Sequence, residues 1–140
     1  MNKSLLDTDV LSEVAKARDS RVAATAQAYL AEHGRFTLSA VTLMEAVRGY
    51  QRAGRPEQLR QFLTIAAQQD VLAFTRTTAE LAGKIDGDLT KGGQPIGRAD
   101  PMIAATAIEH ALVLVTGNTE HFARIQALGY PLLLDNWRNS

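Results

Sequence analysis

The sequence contains three acidic side chains and one amide that could do chemistry together. They are far apart in the chain, and each comes after an apolar run or a loop. Asp7 directly follows Leu5-Leu6, Glu45 lies on a helix after the second apolar run, Asp100 follows a Gly-rich loop, and Asn118 follows the run 112–115. Grouped carboxylates repel one another and lose hydration unless a cation binds them. Hard oxygen ligands without Cys or a His cluster favour Mg²⁺ or Mn²⁺ over zinc. A carboxylate-held Mg²⁺ usually acts on phosphates, so the pattern indicates phosphate chemistry if these residues meet.

Short apolar runs alternate with helical patterns along the chain. The strands are expected at residues 5–6, 36–39, 71–74, 112–115 and 132–134. Helices are expected near 9–14, at 21–33, at 41–54, from Pro56, from Thr77 or Thr78 to Leu89, at 100–110 and at 120–128. Such alternation predicts an α/β fold of three layers, α/β/α, around a central, mostly parallel sheet. In open sheets of this kind ligands bind beyond the carboxyl ends of the strands, where Asp7, Thr116 and Asn118 are expected.

Composition bounds the class of protein. The chain has 140 residues, 46% hydrophobic and 21% charged, which predicts a single domain over 1–140 with a loosely ordered tail at 136–140. Fifteen basic and fifteen acidic residues give zero net charge, which argues against a wholly basic nucleic-acid coat. The absence of Cys excludes a disulfide scaffold and a thiol nucleophile. No apolar stretch approaches the roughly 20 residues of a membrane helix, so we expect a soluble, cytoplasmic protein without membrane association.

Each candidate residue also has a purely structural interpretation. Asp9 is expected to cap a helix, and Asp100 before a proline is an ordinary N-cap as well as a possible ligand. Glu45 has Arg48 three residues on, which suggests a surface ion pair, and Asn118 suits an Asx-turn. Taken one by one, these residues do not distinguish structure from catalysis; only their combination favours a site.

Four segments, at residues 5–12, 38–45, 96–105 and 114–122, together resemble the PIN-domain ribonucleases and, within them, the VapC toxins of bacterial toxin–antitoxin pairs. Leu5-Leu6-Asp7-Thr8-Asp9-Val10-Leu11-Ser12 is similar to the opening segment LLDTNVLS. Residues 38–45 resemble the second block, which ends in an acidic residue, and residues 96–105 resemble the "IG…D…IAA" block. Residues 114–122 resemble the fourth block, "LVT.N…F". Any one block is a weak signal, but four in order at this spacing are specific.

The resemblance implies a metal-dependent endoribonuclease toxin that cleaves cellular RNA, such as tRNA or another structured RNA, to inhibit translation and growth. By position, Asp7, Glu45 and Asp100 would be the acidic triad around Mg²⁺ or Mn²⁺, and Asn118 falls where many members carry a fourth acid. Asp9 would be a cap and a possible outer-shell group. The remaining candidates are three supporting residues, Thr8, Thr116 and Glu120, and one substrate-binding residue, Arg98.

The resemblance also implies partners: a cognate VapB antitoxin, RNA, and a second copy of the chain. A larger toxin–antitoxin assembly is compatible with this set of partners. Exposed apolar residues on helices 41–50 and 57–67 are candidates for these contacts. The arginines that follow the second block are candidates for a phosphate track, namely Arg48, Arg52, Arg55 and Arg60.

Two other classes of function stay open at this point. A haloacid-dehalogenase-type phosphatase shares the Asp-x-Asp spacing of Asp7 and Asp9, but the chain has Leu11 where that class has Thr. A non-catalytic α/β binding module would use the same acids as caps and surface pairs. The first alternative predicts turnover of small phosphate esters, and the second predicts neither RNA cleavage nor specific metal binding.

Overall fold

The computed structural model describes residues 1–139 and contains a five-stranded sheet in the order β3-β2-β1-β4-β5, with every strand pair parallel. The strands are β1 (Ser4–Leu6), β2 (Thr37–Ser39), β3 (Asp70–Leu72), β4 (Val113–Val115) and β5 (Leu133–Asp135). The helices are α1 (Thr8–Lys16), α2 (Ser20–His33), α3 (Ala40–Arg52), α4 (Pro56–Ala66), α5 (Arg76–Lys91), α6 (Ala99–Glu109) and α7 (Thr119–Ala127), followed by a 3-10 turn at Trp137–Asn139.

The central strand β1 separates two apolar layers. Leu5 and Leu6 point to opposite faces of the sheet because side chains alternate along a strand. Leu5 belongs to the cluster formed with α5, α6 and α7, and Leu6 to the cluster formed with α1, α2 and Trp137. Both leucines are fully buried. The expected three-layer α/β/α arrangement is therefore confirmed, and the uninterrupted apolar runs reflect burial on both faces.

Two helix starts differ from the sequence prediction by one to three residues. The N-cap of α2 is Asp19, whose carboxylate accepts hydrogen bonds from the backbone of Arg21 and Val22, rather than Ser20. The N-cap of α5 is Thr75, which forms a reciprocal capping box with Thr78. In both cases several adjacent residues are good caps, and the backbone conformation at the helix entrance selects among them.

The C-terminal segment is packed rather than loosely ordered over its described part. Trp137 is 1% exposed, and its ring centroid lies 5.7 Å from that of Tyr29 and 6.4 Å from that of Phe36. The sequence predicts a loose tail because residues 136–140 are mostly polar. A single Trp in this position buries enough apolar surface to hold the turn against α2.

None of the helices formed by residues 1–139 has the length and apolar character that would be needed to cross a membrane.

Candidate active site

The candidate site begins at the carboxyl end of β1, between β2 and β4. The connection after β1 leads to β2 on one side of it, and β4 pairs on its other side, so the strand order reverses at β1. In parallel sheets, a crevice that can bind a ligand opens at such a reversal. The Asp7 N–H donates a hydrogen bond of 2.9 Å to the carbonyl of Val115, which fixes Asp7 against the end of β4. Asp7 is 7% exposed, so its carboxylate is held in a largely dry environment.

Two donors hold the Asp7 carboxylate. Its Oδ1 accepts a hydrogen bond of 2.8 Å from the backbone N–H of Thr8, and its Oδ2 accepts one of 2.8 Å from the Thr116 hydroxyl. Asp7 is also the N-cap of α1. The sequence prediction that Asp9 caps this helix is therefore wrong, because α1 already begins at Thr8, directly after Asp7.

Burial and nearby acidic groups disfavour the ionised forms of Asp7 and Asp100. Burial raises the pKa of Asp7 to about 7, and the negative charges of Asp9 and Asp100 act in the same direction, against the hydrogen bonds from Thr116 and Thr8. Burial also raises the pKa of Asp100, and the charge of Glu45 contributes next, although the nearby His121 opposes both. Side chains from β1, α1, α3 and α6 therefore share one electrostatic site.

Glu45 is linked to the end of β1 through Thr8. The Thr8 hydroxyl donates a hydrogen bond of 2.8 Å to Glu45 Oε1, across 37 residues of sequence. The partner of Glu45 is thus Thr8 rather than Arg48, and the surface-pair interpretation does not describe this residue. Ser39, the last residue of β2, caps α3 by accepting from the Thr42 N–H, so the helix that carries Glu45 starts directly at the sheet edge.

Asp9 bridges α1 to the loop that follows β4. Its Oδ1 accepts from the N–H of Val10 at 2.8 Å, and its Oδ2 accepts from the N–H of Gly117 at 2.9 Å. The sequence predicts that Asp9 caps the helix, but in the structure Asp9 instead links the helix to Gly117. The bridge holds the segment 116–118 beside Asp7.

Asn118 and His121 border the carboxylate of Asp100. The Asn118 backbone N–H donates to the Thr116 hydroxyl at 3.0 Å, and its side-chain Nδ2 lies 2.8 Å from His121 Nδ1. His121 Nδ1 in turn lies 3.9 Å from Asp100 Oδ2. The Asx-turn expected for Asn118 is absent, since this side chain makes no cap bond to α7. Sequence reasoning missed His121, although its i, i+3 spacing from Asn118 at the start of α7 was the available signal.

The remaining sequence candidates lie outside this group of contacts. Glu120 is exposed, and among residues 1–139 it has no hydrogen bond or ion pair that would draw it toward Asp100. Arg98 is exposed and is the N-cap of α6, so Asp100 lies in the first turn of the helix and is not its cap. The arginines of the expected phosphate track are all exposed, and Arg60 pairs with Glu57 at 2.7 Å.

The chemistry of the donors fits a hard divalent cation, but the cage is not preformed. Within the described part of the chain, no three His, Asp or Glu side chains stand close enough together to hold a metal ion. Burial and neighbouring negative charges raise the pKa of Asp7 and that of Asp100, so a bound cation would favour the ionised forms of both carboxyls. A small ion that retains several waters, as Mg²⁺ does, requires only a few direct carboxylate contacts. The acidic side chains thus suit a hydrated ion.

Comparison with known proteins agrees with this architecture. The pattern of the PIN domain family matches residues 4–128. The chain is 32% identical over 129 residues to the tRNA(fMet)-specific endonuclease VapC of Shigella flexneri, covering 91% of this chain and 96% of that protein. It is 29% identical over 141 residues to ribonuclease VapC2 of Haemophilus influenzae, covering 98% and 99%. Nucleases of the PIN family generally depend on divalent metal ions.

Solved structures give the same result. DNA-bound VapBC from Salmonella typhimurium superposes with a TM-score of 0.80 at 27% identity, covering 98% of this chain and 99% of that one. VapBC-1 from nontypeable Haemophilus influenzae superposes with a TM-score of 0.79 at 28% identity, covering 96% and 97%. From the matched family pattern and the curated relatives, this chain belongs to the PIN-domain family and, within it, to the VapC ribonucleases.

Proposed function

We propose that this chain is a Mg²⁺- or Mn²⁺-dependent endoribonuclease whose ion is held by Asp7, Glu45 and Asp100. The proposal is supported by the electrostatics at this sheet edge: burial and the charges of neighbouring carboxylates raise the pKa of Asp7, at the end of β1, and that of Asp100, on α6, where Glu45 of α3 is one of the neighbours. Such an arrangement is costly for folding unless a cation is bound. It is therefore better explained by chemistry than by stability.

The residues around the carboxylates have distinct tasks in this proposal. Thr116 orients Asp7 and, by donating to Oδ2, favours its ionised form. Thr8 orients Glu45 in the same way. The chemistry expected from a bound divalent ion is polarisation of the scissile phosphate and activation of water for in-line attack. Asn118 and His121 confine Asp100 on its α7 side.

The proposed substrate is a structured RNA, with initiator tRNA as the first candidate. Two relatives, from Shigella flexneri and Salmonella typhimurium, are named tRNA(fMet)-specific endonucleases, and each matches 91% of this chain. Arg98, beside the α6 carboxylate, is the proposed contact to the RNA backbone because it is exposed and adjacent in sequence to the site. Cleavage of such a molecule would block translation and growth in the cytoplasm.

A VapB-type antitoxin is the proposed inhibitor, and a second copy of the chain is the proposed subunit partner. Solved neighbours from Salmonella typhimurium and Haemophilus influenzae are VapBC complexes. Helices α3 and α4 leave large apolar side chains in solvent, with Met44 53%, Leu63 43% and Ile65 55% exposed. Exposed apolar groups on adjacent helices are typical of a surface that a partner covers.

The test is cleavage of initiator tRNA by the purified chain with Mg²⁺ or Mn²⁺, followed by mapping of the new RNA 5′ ends. We expect cleavage that EDTA abolishes. Asp7→Asn should reduce it by more than about 100-fold, since even outer-shell partners of metal ligands cost about 10- to 100-fold when removed. Glu80→Gln, on the exposed face of α5, is the matched control and should leave cleavage unchanged.

Three outcomes would contradict the proposal. Full activity of Asp7→Asn would remove Asp7 from the site, and activity that persists in EDTA would remove the ion. Turnover of a small phosphate ester such as p-nitrophenyl phosphate, with every RNA left intact, would instead support the phosphatase alternative.

A further inference from the structure

The 3-10 turn after β5 brings an arginine to the loop that follows β4. Trp137 anchors the turn in the apolar layer, where its ring packs against those of Tyr29 and Phe36. The backbone N–H of Arg138 donates a hydrogen bond of 3.0 Å to the Asn136 side chain. The backbone from which the Arg138 side chain extends is therefore fixed in position. Arg138 thus starts from a rigid base, which lowers the entropy lost when its guanidinium binds a ligand.

The guanidinium of Arg138 lies across Gly117. A Cβ built on Gly117 would overlap Arg138 Nη1, would lie 2.9 Å from its Cζ and, on another side, would lie 2.6 Å from Asp9 Oδ2. The backbone of Gly117 does not have the positive φ that favours glycine elsewhere in the chain. Glycine is therefore required at position 117 for space and not for backbone conformation. The absence of a Cβ leaves room for the Arg138 guanidinium beside Asp9.

Arg138 keeps hydrogen-bonding capacity after its contacts within the chain are counted. Over residues 1–139, the only acceptor of its guanidinium is Glu13, which pairs with Nη2. A guanidinium has five N–H donors, so Nη1 and Nε remain available for a ligand. The side chain is 39% exposed, which lets a ligand reach it from solvent.

The Arg138 guanidinium lies near the acidic site because both of its neighbours, Asp9 and Gly117, border that site. Asp9 is close enough to Asp7 and Asp100 to raise the pKa of each, and Gly117 directly follows Thr116, the donor to Asp7. A polyanion that approaches grouped carboxylates is repelled unless positive charge lies at the rim. The planar donors of an arginine match the oxygens of a phosphate.

We propose that Arg138 binds a phosphate of the RNA next to the cleaved one, and that the bare backbone of Gly117 is what admits it. Glu13 holds the guanidinium in place before RNA arrives. The inference rests on the proposed acidic site, since it places the RNA backbone there. Arg138 is a substrate-binding residue in this proposal, with no role in activating water.

The test measures RNA affinity without cleavage. Fluorescence anisotropy of labelled initiator tRNA in EDTA, at several KCl concentrations, is compared for the wild type, Arg138→Gln and Arg76→Gln. Arg76 is the matched control because it is 92% exposed on α5 and pairs within its own helix. We expect Arg138→Gln to weaken binding about fivefold. It should also flatten the slope of log affinity against log salt by about 0.7 to 0.9, the value of one lost phosphate contact. Arg76→Gln should change neither quantity.

Two further variants separate binding from a purely structural role. Gly117→Ala displaces the guanidinium and should reproduce the loss of affinity and the flatter slope. Glu13→Gln releases the guanidinium from its internal partner and should keep or strengthen RNA binding. If Arg138 only stabilised the fold through Glu13, then Glu13→Gln would behave like Arg138→Gln, and the proposal would fail.

The result that overturns the inference is distinct from failure of the proposed function. Equal affinity and equal salt slope for Arg138→Gln and the wild type would reject the phosphate contact, as would absence of any RNA binding by the wild type. In a parallel cleavage assay with metal, we expect the KM of Arg138→Gln to rise about fivefold with little change in kcat. Lack of cleavage by every variant, with the binding differences preserved, would reject the proposed ribonuclease site while leaving the Arg138 contact in place.

Discussion

Asp7→Asn should stabilise the metal-free protein above neutral pH, although it should abolish cleavage. Burial raises the pKa of Asp7 from its ordinary value of 3.8 to about 7, so the folded chain holds a proton that the unfolded chain has released. Between those two values the folded state binds more protons, and the wild-type free energy of unfolding therefore falls as pH rises. The Asn side chain has no such titration. Its carbonyl still accepts from Thr8, and its amide still hydrogen-bonds to the Thr116 hydroxyl.

The size of the effect follows from the pKa difference. A shift of roughly three units at about 1.36 kcal/mol per unit gives about 4 kcal/mol as an upper value. Water that enters the site on ionisation reduces this figure, so we expect about 2–4 kcal/mol. The difference between the variant and the wild type should grow from pH 4 to pH 7 and be constant above about pH 7, where Asp7 is ionised in both states.

The assay is urea unfolding in EDTA at half-unit steps from pH 4 to pH 8.5, with Glu80→Gln as the control for removal of an exposed carboxylate. The control should show a nearly flat difference from the wild type, because an exposed ion pair contributes little to stability. Addition of Mn²⁺ at pH 8 should stabilise the wild type and leave Asp7→Asn unchanged, since an ion that binds only the folded state adds to stability. A difference curve for Asp7→Asn that is as flat as the control's would refute the buried, repelled carboxylate.

Two other predictions follow from contacts around the site and the tail. Thr116→Val removes the hydrogen bond that lowers the pKa of Asp7, so the acidic limb of the pH–rate profile should move to higher pH. Cleavage at pH 7 should fall about tenfold, at the lower end of the cost of losing a partner of a metal ligand; an unchanged profile would show that this bond does not tune the site. Trp137→Ala should lower the free energy of unfolding by about 3–5 kcal/mol, the usual cost of truncating a buried aromatic residue. Urea denaturation measures this loss, and a change under about 1 kcal/mol would contradict the packed C-terminal turn.

The fold could be predicted because strands that are buried on both faces form uninterrupted apolar runs in the sequence. The apolar run around Val113–Val115 and the leucines before Asp7 lie on strands that are covered on both faces, so uninterrupted hydrophobicity alone indicates them. The convergence of Asp7 and Thr116 also follows from topology, since parallel strands end at one edge. Which residue caps a helix depends on the backbone at single positions, and this is why Asp7 displaced Asp9 as the cap of α1.

What the sequence could not predict are contacts set by side-chain direction over long separations. The bond from Gly117 to Asp9 spans 108 residues, and no local pattern at either position signals it. The contact between His121 and Asp100 joins two different helices, so the spacing of His121 from Asn118 indicates a neighbour of Asn118 but not of Asp100. The position of Arg138 depends on burial of the neighbouring Trp137, which a polar tail does not suggest.

The separation of the two halves of the acidic site has a consequence for synthesis of the protein. Thr116, which orients Asp7, lies 109 residues after it, and β4 supplies the central partner of β1. A growing polypeptide that ends before β4 contains Asp7 but lacks β4, Thr116 and Gly117, whose N–H binds Asp9. Thr116 can therefore orient Asp7 only after most of the chain has been synthesised.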